Sequence, residues 1–206
     1  MDLSEKGILL VISGPAGTGK GTVVSNILAR SDDYALSVSA TTRAPRYNEV
    51  DGVQYHFLTR AQFEQKIEDG QMLEYAEYVG NYYGTPRERV MEMLETGTNV
   101  ILEIEVVGAM KIKKLLPDAV TVLLLPPSFA TLEERLRGRK TNTEEDIQNR
   151  LQQAKLEIGN FASYDYVVIN EDGASDDAAL KIISIVDAER HRTMRNLHIP
   201  ADFLAD

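Results

Sequence analysis

Ile8-Leu-Leu-Val-Ile12 runs through Ser13 into Gly14-Pro-Ala-Gly-Thr-Gly-Lys-Gly-Thr22, and this join decides the fold. A short apolar run bounded by a Gly-rich turn reads as a strand buried on both faces, and Thr22 to Arg30 then carries apolar residues at helical spacing. Strand, turn and helix in that order can cradle phosphate. The glycines let backbone N–H groups wrap an anion without an intervening Cβ, and the helix N-terminus adds partial positive charge. The expected phosphate-binding residues are Gly14, Pro15, Ala16, Gly17, Thr18, Gly19, Lys20, Gly21 and Thr22, with Lys20 reaching the β and γ phosphates. The alternative is a Gly-rich strand-to-helix turn with an incidental lysine. Gly21 stands where many such loops carry Ser or Thr, and the hydroxyl comes one residue later at Thr22.

Outward from this join, Asn99 to Ile104, Ala119 to Leu125 and Tyr166 to Ile169 have the length and β-branched content of parallel strands. Helical patterns at Ala109 to Leu116, Thr131 to Arg137 and Asp176 to Arg192 supply the crossovers, so the expected fold is α/β with a mostly parallel sheet. Residues 40–90 break the rhythm. Val53 to Phe57 and Met72 to Tyr78 alternate like half-exposed antiparallel strands, and Gly80-Asn81 reads as a hairpin turn. Thr59 to Gln62 has capping-box spacing before a helix ending near Gly70, and Thr143 to Asp146 starts a longer helix through Lys155. Arg135 to Asn142 is short, basic and Gly-containing, the pattern of a mobile lid or of a plain surface loop. Met91, Met93 and Leu94 fit a helix packing face, His56 reads as structural, and Arg190 to Arg195 reads as the solvated end of the last helix.

The 206 residues include 43% hydrophobic and 26% charged, enough for one sizeable core without staples, and the cysteine count is zero. Ile8 to Ile12 is far shorter than the roughly 20 residues of a membrane span, and Met1 to Lys6 has no basic leader pattern, so the chain reads as soluble, untargeted and cytoplasmic. A formal net charge of −10 repels a long polyanion, which excludes DNA or RNA as a partner while leaving room for a local cluster that holds a small anion. With three histidines and no cysteine there is little from which to build a zinc site.

Two further clusters carry chemistry. In Asn99 to Glu105, Glu103 and Glu105 alternate and so point to one side of the sheet near its carboxyl end, where open α/β sheets bind ligands. They either organise a magnesium hydration shell and face a substrate, or simply mark where the strand leaves the core. Ser37 to Arg46, then Glu49 and Tyr55, gathers two arginines, hydroxyls and a tyrosine, and arginine forks suit phosphate oxygens. Glu74, Tyr78 and Asn81 to Thr85 form a second polar and aromatic group, with a solvated loop and a tyrosine-rich hairpin as the alternative.

On GPAGTGKGT, SVSATTRAPR, VDGVQYHF, EYAEYVGNYYGTP, LEIEVVG, LPPS and RLRGRKT the sequence resembles guanylate kinase of the bacterial type, from near residue 7 to about residue 170. TTRAPR and GNYYGTP are the most diagnostic. The resemblance implies a P-loop nucleoside monophosphate kinase fold: a single domain over 1–206, with core segments 1–38, 91–130 and 155–206, a GMP-binding insert at 39–90 and a lid at about 131–154. It implies transfer of a phosphoryl group from ATP, with Mg2+, to GMP. It also implies that Ser39, Arg43, Arg46, Tyr55 and Tyr83 grip the GMP phosphate, and that Glu74 and Thr85 read the base with Glu105 facing the guanine. Arg135 and Arg139 would come from the lid over ATP, Arg150 would reach in from the next helix, and Asn170 would lie near the adenine. Lys20, Arg43, Arg135, Arg139 and Arg150 are then the expected catalytic residues, and Thr22 and Glu103 the magnesium-facing ones, acting through water. The chain departs from the family pattern at Asn48, Val107, Lys140 and Asn142, and carries Glu103 and Glu105 where many members have aspartates. A peptide-binding module on the same scaffold would have lost phosphate-loop or GMP-site residues, whereas Lys20, Arg43, Arg46, Glu74 and Tyr83 are present. A different acceptor such as AMP, dTMP or a sugar phosphate is disfavoured by the Glu74 and Thr85 pair. The oligomeric state stays open.

Overall fold

The computed structural model describes residues 6–78, 80–138 and 143–205. The chain runs β1 (Leu9–Ser13), α1 (Lys20–Arg30), β2 (Tyr34–Leu36), β3 (Ala40–Thr41), β4 (His56–Phe57), α2 (Arg60–Glu68), β5 (Met72–Tyr78), β6 (Asn81–Pro86) and α3 (Arg87–Glu95). It continues with β7 (Asn99–Glu103), α4 (Val106–Leu115), β8 (Val120–Leu125), α5 (Phe129–Gly138), α6 (Glu144–Ile158), β9 (Tyr166–Ile169), α7 (Ser175–Arg190) and α8 (Ile199–Ala205).

The main sheet has the order β2-β7-β1-β8-β9 and is parallel throughout, as the sequence pattern implies. β1 is central and both its faces are covered. Ile8, Leu10 and Ile12 pack with Val23, Val24 and Ile27 of α1 and Ile182 and Val186 of α7, while Leu9 and Val11 pack with Val90, Ala109 and Ile112 on the other side. A strand sandwiched in this way needs apolar residues at every position, which is why it reads as an unbroken run. β2 has no separate sequence signal; it is three residues long and is held by its pairing with β7.

The smaller sheet has the order β4-β3-β6-β5. The expected strand over Val53 to Phe57 shrinks to His56–Phe57, and it pairs parallel to β3 rather than antiparallel. The reason lies in the preceding loop, where side chains replace a ladder: Gln54 Oε1 accepts from Val50 N at 2.7 Å, and Asp51 Oδ1 accepts from Phe57 N at 2.8 Å. The hairpin of β5 and β6 is antiparallel as expected, and Thr59 and Thr143 both close capping boxes, over α2 and α6. The boundaries expected at 90/91 and 154/155 fall inside α3 and α6, so any movement of those segments carries whole helices.

Arg135 sits on α5, within the helix expected over Thr131 to Arg137, and that helix extends through Gly138. One expectation is corrected. Arg192 and Arg195 are not simply solvated: both pair with Glu189, only 2% exposed, whose carboxylate also accepts from the Tyr166 hydroxyl at 2.6 Å, and α8 follows them.

The smaller sheet has its own minor core, Ala40, Phe63 and Met72 with Leu58, Ile67 and Tyr82 around them, and the Phe63 and Tyr82 rings stack at 5.2 Å. Phe63→Ala should cost about 3 to 5 kcal/mol there. Because that core is separate from the clusters around β1, amide exchange should accelerate across residues 56–86 and remain slow in β1, β7 and β8. Uniform acceleration in hydrogen-exchange mass spectrometry would contradict this division.

Candidate functional site

The turn after β1 is shaped by its glycines. Gly14 has φ 147°, and a Cβ there would stand 2.3 Å from the Leu124 carbonyl oxygen; Gly19 has φ 89°, and a Cβ would stand 2.5 Å from Asn170 Nδ2. The chain is thereby bent over the ends of β1 and β8 with its backbone close to both. Lys20, the first residue of α1, folds back and donates to Gly14 O at 2.6 Å and Pro15 O at 3.2 Å. A Cβ on Gly21 would stand 3.8 Å from both carboxylate oxygens of Glu103.

Two cavities open at this end of the sheet. The larger, about 580 Å³, is lined by Gly14, Ala16, Lys20, Glu103, Ile104, Glu105, Asn149, Arg150, Gln153 and Glu157. The other, about 340 Å³, is lined by Ser39, Tyr55, Glu74, Ala76, Tyr83, Gly84, Glu103, Ile104, Glu105, Val107 and Gly108. Glu103, Ile104 and Glu105 are common to both, so the segment leaving β7 is a partition with a cavity on each side. Glu105 is not in the strand, as its alternation with Glu103 suggested; β7 ends at Glu103, and Glu105 is the extended residue just before α4, with no side-chain capping bond.

Glu74 and Thr85 face each other across β5 and β6, and the Thr85 hydroxyl donates to Glu74 Oε1 at 2.9 Å. Glu74 is 9% exposed; burial pushes its carboxyl up, and the bond from Thr85 and the charge of Lys111 oppose this. Its Oε2 lies 3.1 Å from where a Cβ on Gly108 would be, so glycine at that point of α4 makes room for the carboxylate. Desolvation likewise raises Glu103, with Lys20 opposing. Glu157 is raised by burial first and by the charge of Glu105, against Gln153 and Lys20. Three carboxyls near two anion-sized cavities are therefore costly to ionise where they stand.

The expected residues divide into groups. Ser39, Tyr55, Glu74, Tyr83 and Glu105 line the smaller cavity, and Gly14, Ala16, Lys20 and Arg150 the larger. Arg43 lines neither, and its guanidinium carbon lies 5.5 Å from the ring centre of Tyr55, which lines the smaller one. Arg46 is exposed and lines neither, and Thr22 is exposed on α1. Arg135 and Asn170 line neither of these two cavities and hold the phosphate loop at Thr18: Asn170 Nδ2 donates to Thr18 O at 2.8 Å, and Arg135 donates to Thr18 O, Asn170 O and Asp172. Asn170 Oδ1 is buried and makes no hydrogen bond among the described residues. Arg139, Lys140 and Asn142 lie outside the described residues. The sequence reading missed Asn149, Gln153, Glu157 and Gly108. The first three share a helix face with Arg150, so extending from that residue by helical spacing would have found them.

Among the described residues, no group of three or more His, Asp or Glu side chains is placed to hold a metal ion, and no helix is long and apolar enough to cross a membrane. The sequence model of the family described as guanylate kinase matches residues 6–189. A guanylate kinase of Halalkalibacterium halodurans is 51% identical over 197 residues, covering 94% of this chain and 96% of its own. One from Streptococcus thermophilus is 50% identical over 194 residues, covering 94% of this chain and 92% of its own. The crystal structure of guanylate kinase from Anaplasma phagocytophilum superposes with a TM-score of 0.74 at 34% identity, covering 94% of this chain and 91% of that one. With its phosphate loop, its carboxylate partition and these matches over nearly its whole length, the chain belongs to the guanylate kinase family.

Proposed function

We propose that this chain transfers the γ-phosphoryl of Mg-ATP to GMP, giving ADP and GDP, and that it works in the cytoplasm. The observation that carries this reading is the pair of cavities sharing the Glu103 to Glu105 wall, one fronted by the phosphate loop and the other by Glu74. Two ligands seated there meet at the partition.

In the smaller cavity, guanine offers N1–H and N2–H as adjacent donors, and one ionised carboxylate accepts both. Burial makes the Glu74 charge costly, and those two donors offset the cost; adenine, with an acceptor at N1, does not. Ser39, Tyr55 and Tyr83 border the space for the phosphate, with Arg43 beside Tyr55 and Arg46 joining by movement of its loop. In the larger cavity, Lys20 and Arg150 face the triphosphate. Arg135, and Arg139 beyond it, serve the donor side from α5 and the segment after it, and Asn170 lies by the adenine. Glu103 and the Thr22 hydroxyl would face a magnesium ion through water, and the ion would supply charge neutralisation on the triphosphate. With a glycine at 21 and, among the described residues, no group of three acidic or histidine side chains placed to hold a metal ion, the chain fits an ion held mainly by phosphates and water.

The chemistry then needs no general base. A GMP phosphate oxygen is already an anion; it bonds to the γ-phosphorus as the bond from that phosphorus to the β–γ bridging oxygen breaks, and the electron pair leaves with ADP. Lys20 and the arginines compensate charge as it spreads over the transferring group.

A coupled assay with ATP and a panel of acceptors tests the reading directly: GMP should be turned over far ahead of AMP and dTMP. Lys20→Ala should lower kcat by about a hundredfold or more while GMP binding persists, and near-normal turnover would refute the phosphate-loop assignment. Glu74→Gln should raise KM for GMP about 10- to 100-fold with KM for ATP unchanged. Gly108→Ala separates recognition from folding. The added methyl presses on Glu74 Oε2, so KM for GMP should rise about tenfold, whereas better helix propensity keeps the melting temperature level or higher.

A further inference from the structure

Arg43 has fixed protein partners. Its Nη1 donates to Ala44 O at 2.7 Å and to Glu49 Oε2 at 2.9 Å, and its Nη2 donates to Glu49 Oε1 at 3.0 Å. The Tyr55 and Phe57 ring centres lie 5.5 and 5.8 Å from its central carbon, and Tyr83 stands near the same guanidinium. Glu49 does a second job: its Oε2 accepts from Arg46 N at 2.7 Å. The turn that places Glu49 there closes with Glu49 N donating to Arg46 O at 3.1 Å and puts Asn48 at φ 68°. Asparagine is among the few residues other than glycine that accept such a φ readily, which fits its presence at this turn.

We propose, resting on the reading above, that Glu49 is a positioning residue for the acceptor phosphate. It grips the end-on edge of Arg43 and so presents the side-on edge, Nε–H and the second Nη2–H, beside the cavity-lining Tyr55 and Tyr83. A guanidinium has five N–H donors, of which Ala44 and Glu49 take three. The two left form the second parallel pair, whose spacing matches two phosphate oxygens. The Glu49 carboxylate, held below its ordinary range by Arg43 and then by the Arg46 backbone, is ionised throughout the neutral range. One carboxylate thus orders both arginines of the cradle, Arg43 through its side chain and Arg46 through its backbone. A phosphate entering does not bear the cost of immobilising a flexible Arg43.

The test compares GMP with guanosine, which lacks the phosphate. Glu49→Gln keeps the shape but offers one acceptor oxygen for two demands and turns an amide N–H2 toward a donor. By calorimetry, GMP affinity should fall about tenfold or more, with guanosine and ATP affinity within twofold of wild type and the melting temperature within a few degrees. Glu49→Asp, which keeps the charge on a shorter arm, should restore part of the GMP affinity and serves if the glutamine variant folds poorly. Unchanged GMP affinity overturns the proposal. So does tighter GMP binding, which would make Glu49 a competitor of the phosphate, or an equal loss for guanosine, which would make its role merely structural. A wild-type protein that binds no GMP would refute the functional reading instead. The Nε–H signal of Arg43 in 15N spectra would still test Glu49: sharp in wild type and broadened in Glu49→Gln if Glu49 orders the guanidinium, alike in both if it does not.

Discussion

Ile12 of β1 pairs with Glu103 of β7, and Ser13 with Leu123 of β8. This register is the constraint on which the site depends. It stops β1 where β7 stops, so that the phosphate loop and the carboxylate partition emerge side by side. The register is itself fixed by burial, because sliding β1 by one residue would move Leu10 and Ile12 from the α1 and α7 side to the α4 side and leave both cores mispacked. Position at the site is therefore set by apolar packing well below it, and no residue of the phosphate loop has to secure its own alignment.

On that frame the charges are arranged against the overall balance. The molecule carries −10, yet its proposed ligands are both highly anionic. Cations meet them locally, Lys20 and Arg150 on one side of the partition and Arg43 beside Tyr55 on the other. The surrounding excess of carboxylates does not cancel this, since exposed charges beyond about 8 to 10 Å are largely screened at physiological salt. Glu74, Glu103 and Glu157 stand closer, and burial raises all three. On the proposed reading, ligand groups would offset that cost of burial at two of them, the guanine donors at Glu74 and the magnesium hydration shell at Glu103.

What was legible in the sequence follows from how local the determining physics is. β1, its loop and α1 were readable because a doubly buried strand and a Gly-rich turn leave marks at adjacent positions. The capping boxes at Thr59 and Thr143 were readable for the same reason: both partners lie within one turn. β2 was not, because three residues with no pattern of their own become a strand only through pairing with β7. β4 was misread in direction since Asp51 and Gln54 satisfy backbone groups across a loop, a choice invisible to alternation. The Glu74 and Thr85 pair was reached through family resemblance; composition alone favoured a tyrosine-rich hairpin. Arg135 and Asn170 were found, but their contacts with Thr18 were not, because those span 117 and 152 positions of sequence.

Those long-range contacts add a point about how the donor side is built. Thr18 O accepts from Asn170 at the end of β9 and from Arg135 on α5, and Leu132 and Leu136 of α5 pack within 3.3 Å of where a Cβ on Gly17 would be. The phosphate loop is thus braced from behind by α5, and α5 packs through Leu132 and Leu136 against Ile147, Leu151 and Ala154 of α6. α6 carries Arg150 into the larger cavity and continues to Glu157 beside Lys20 and Glu105. A shift of α6 therefore changes the loop's rear brace and the cavity's far wall together. Since Ala154 and Leu151 sit in that shared core, a substitution at either reaches both the brace behind Thr18 and the helix that carries Arg150.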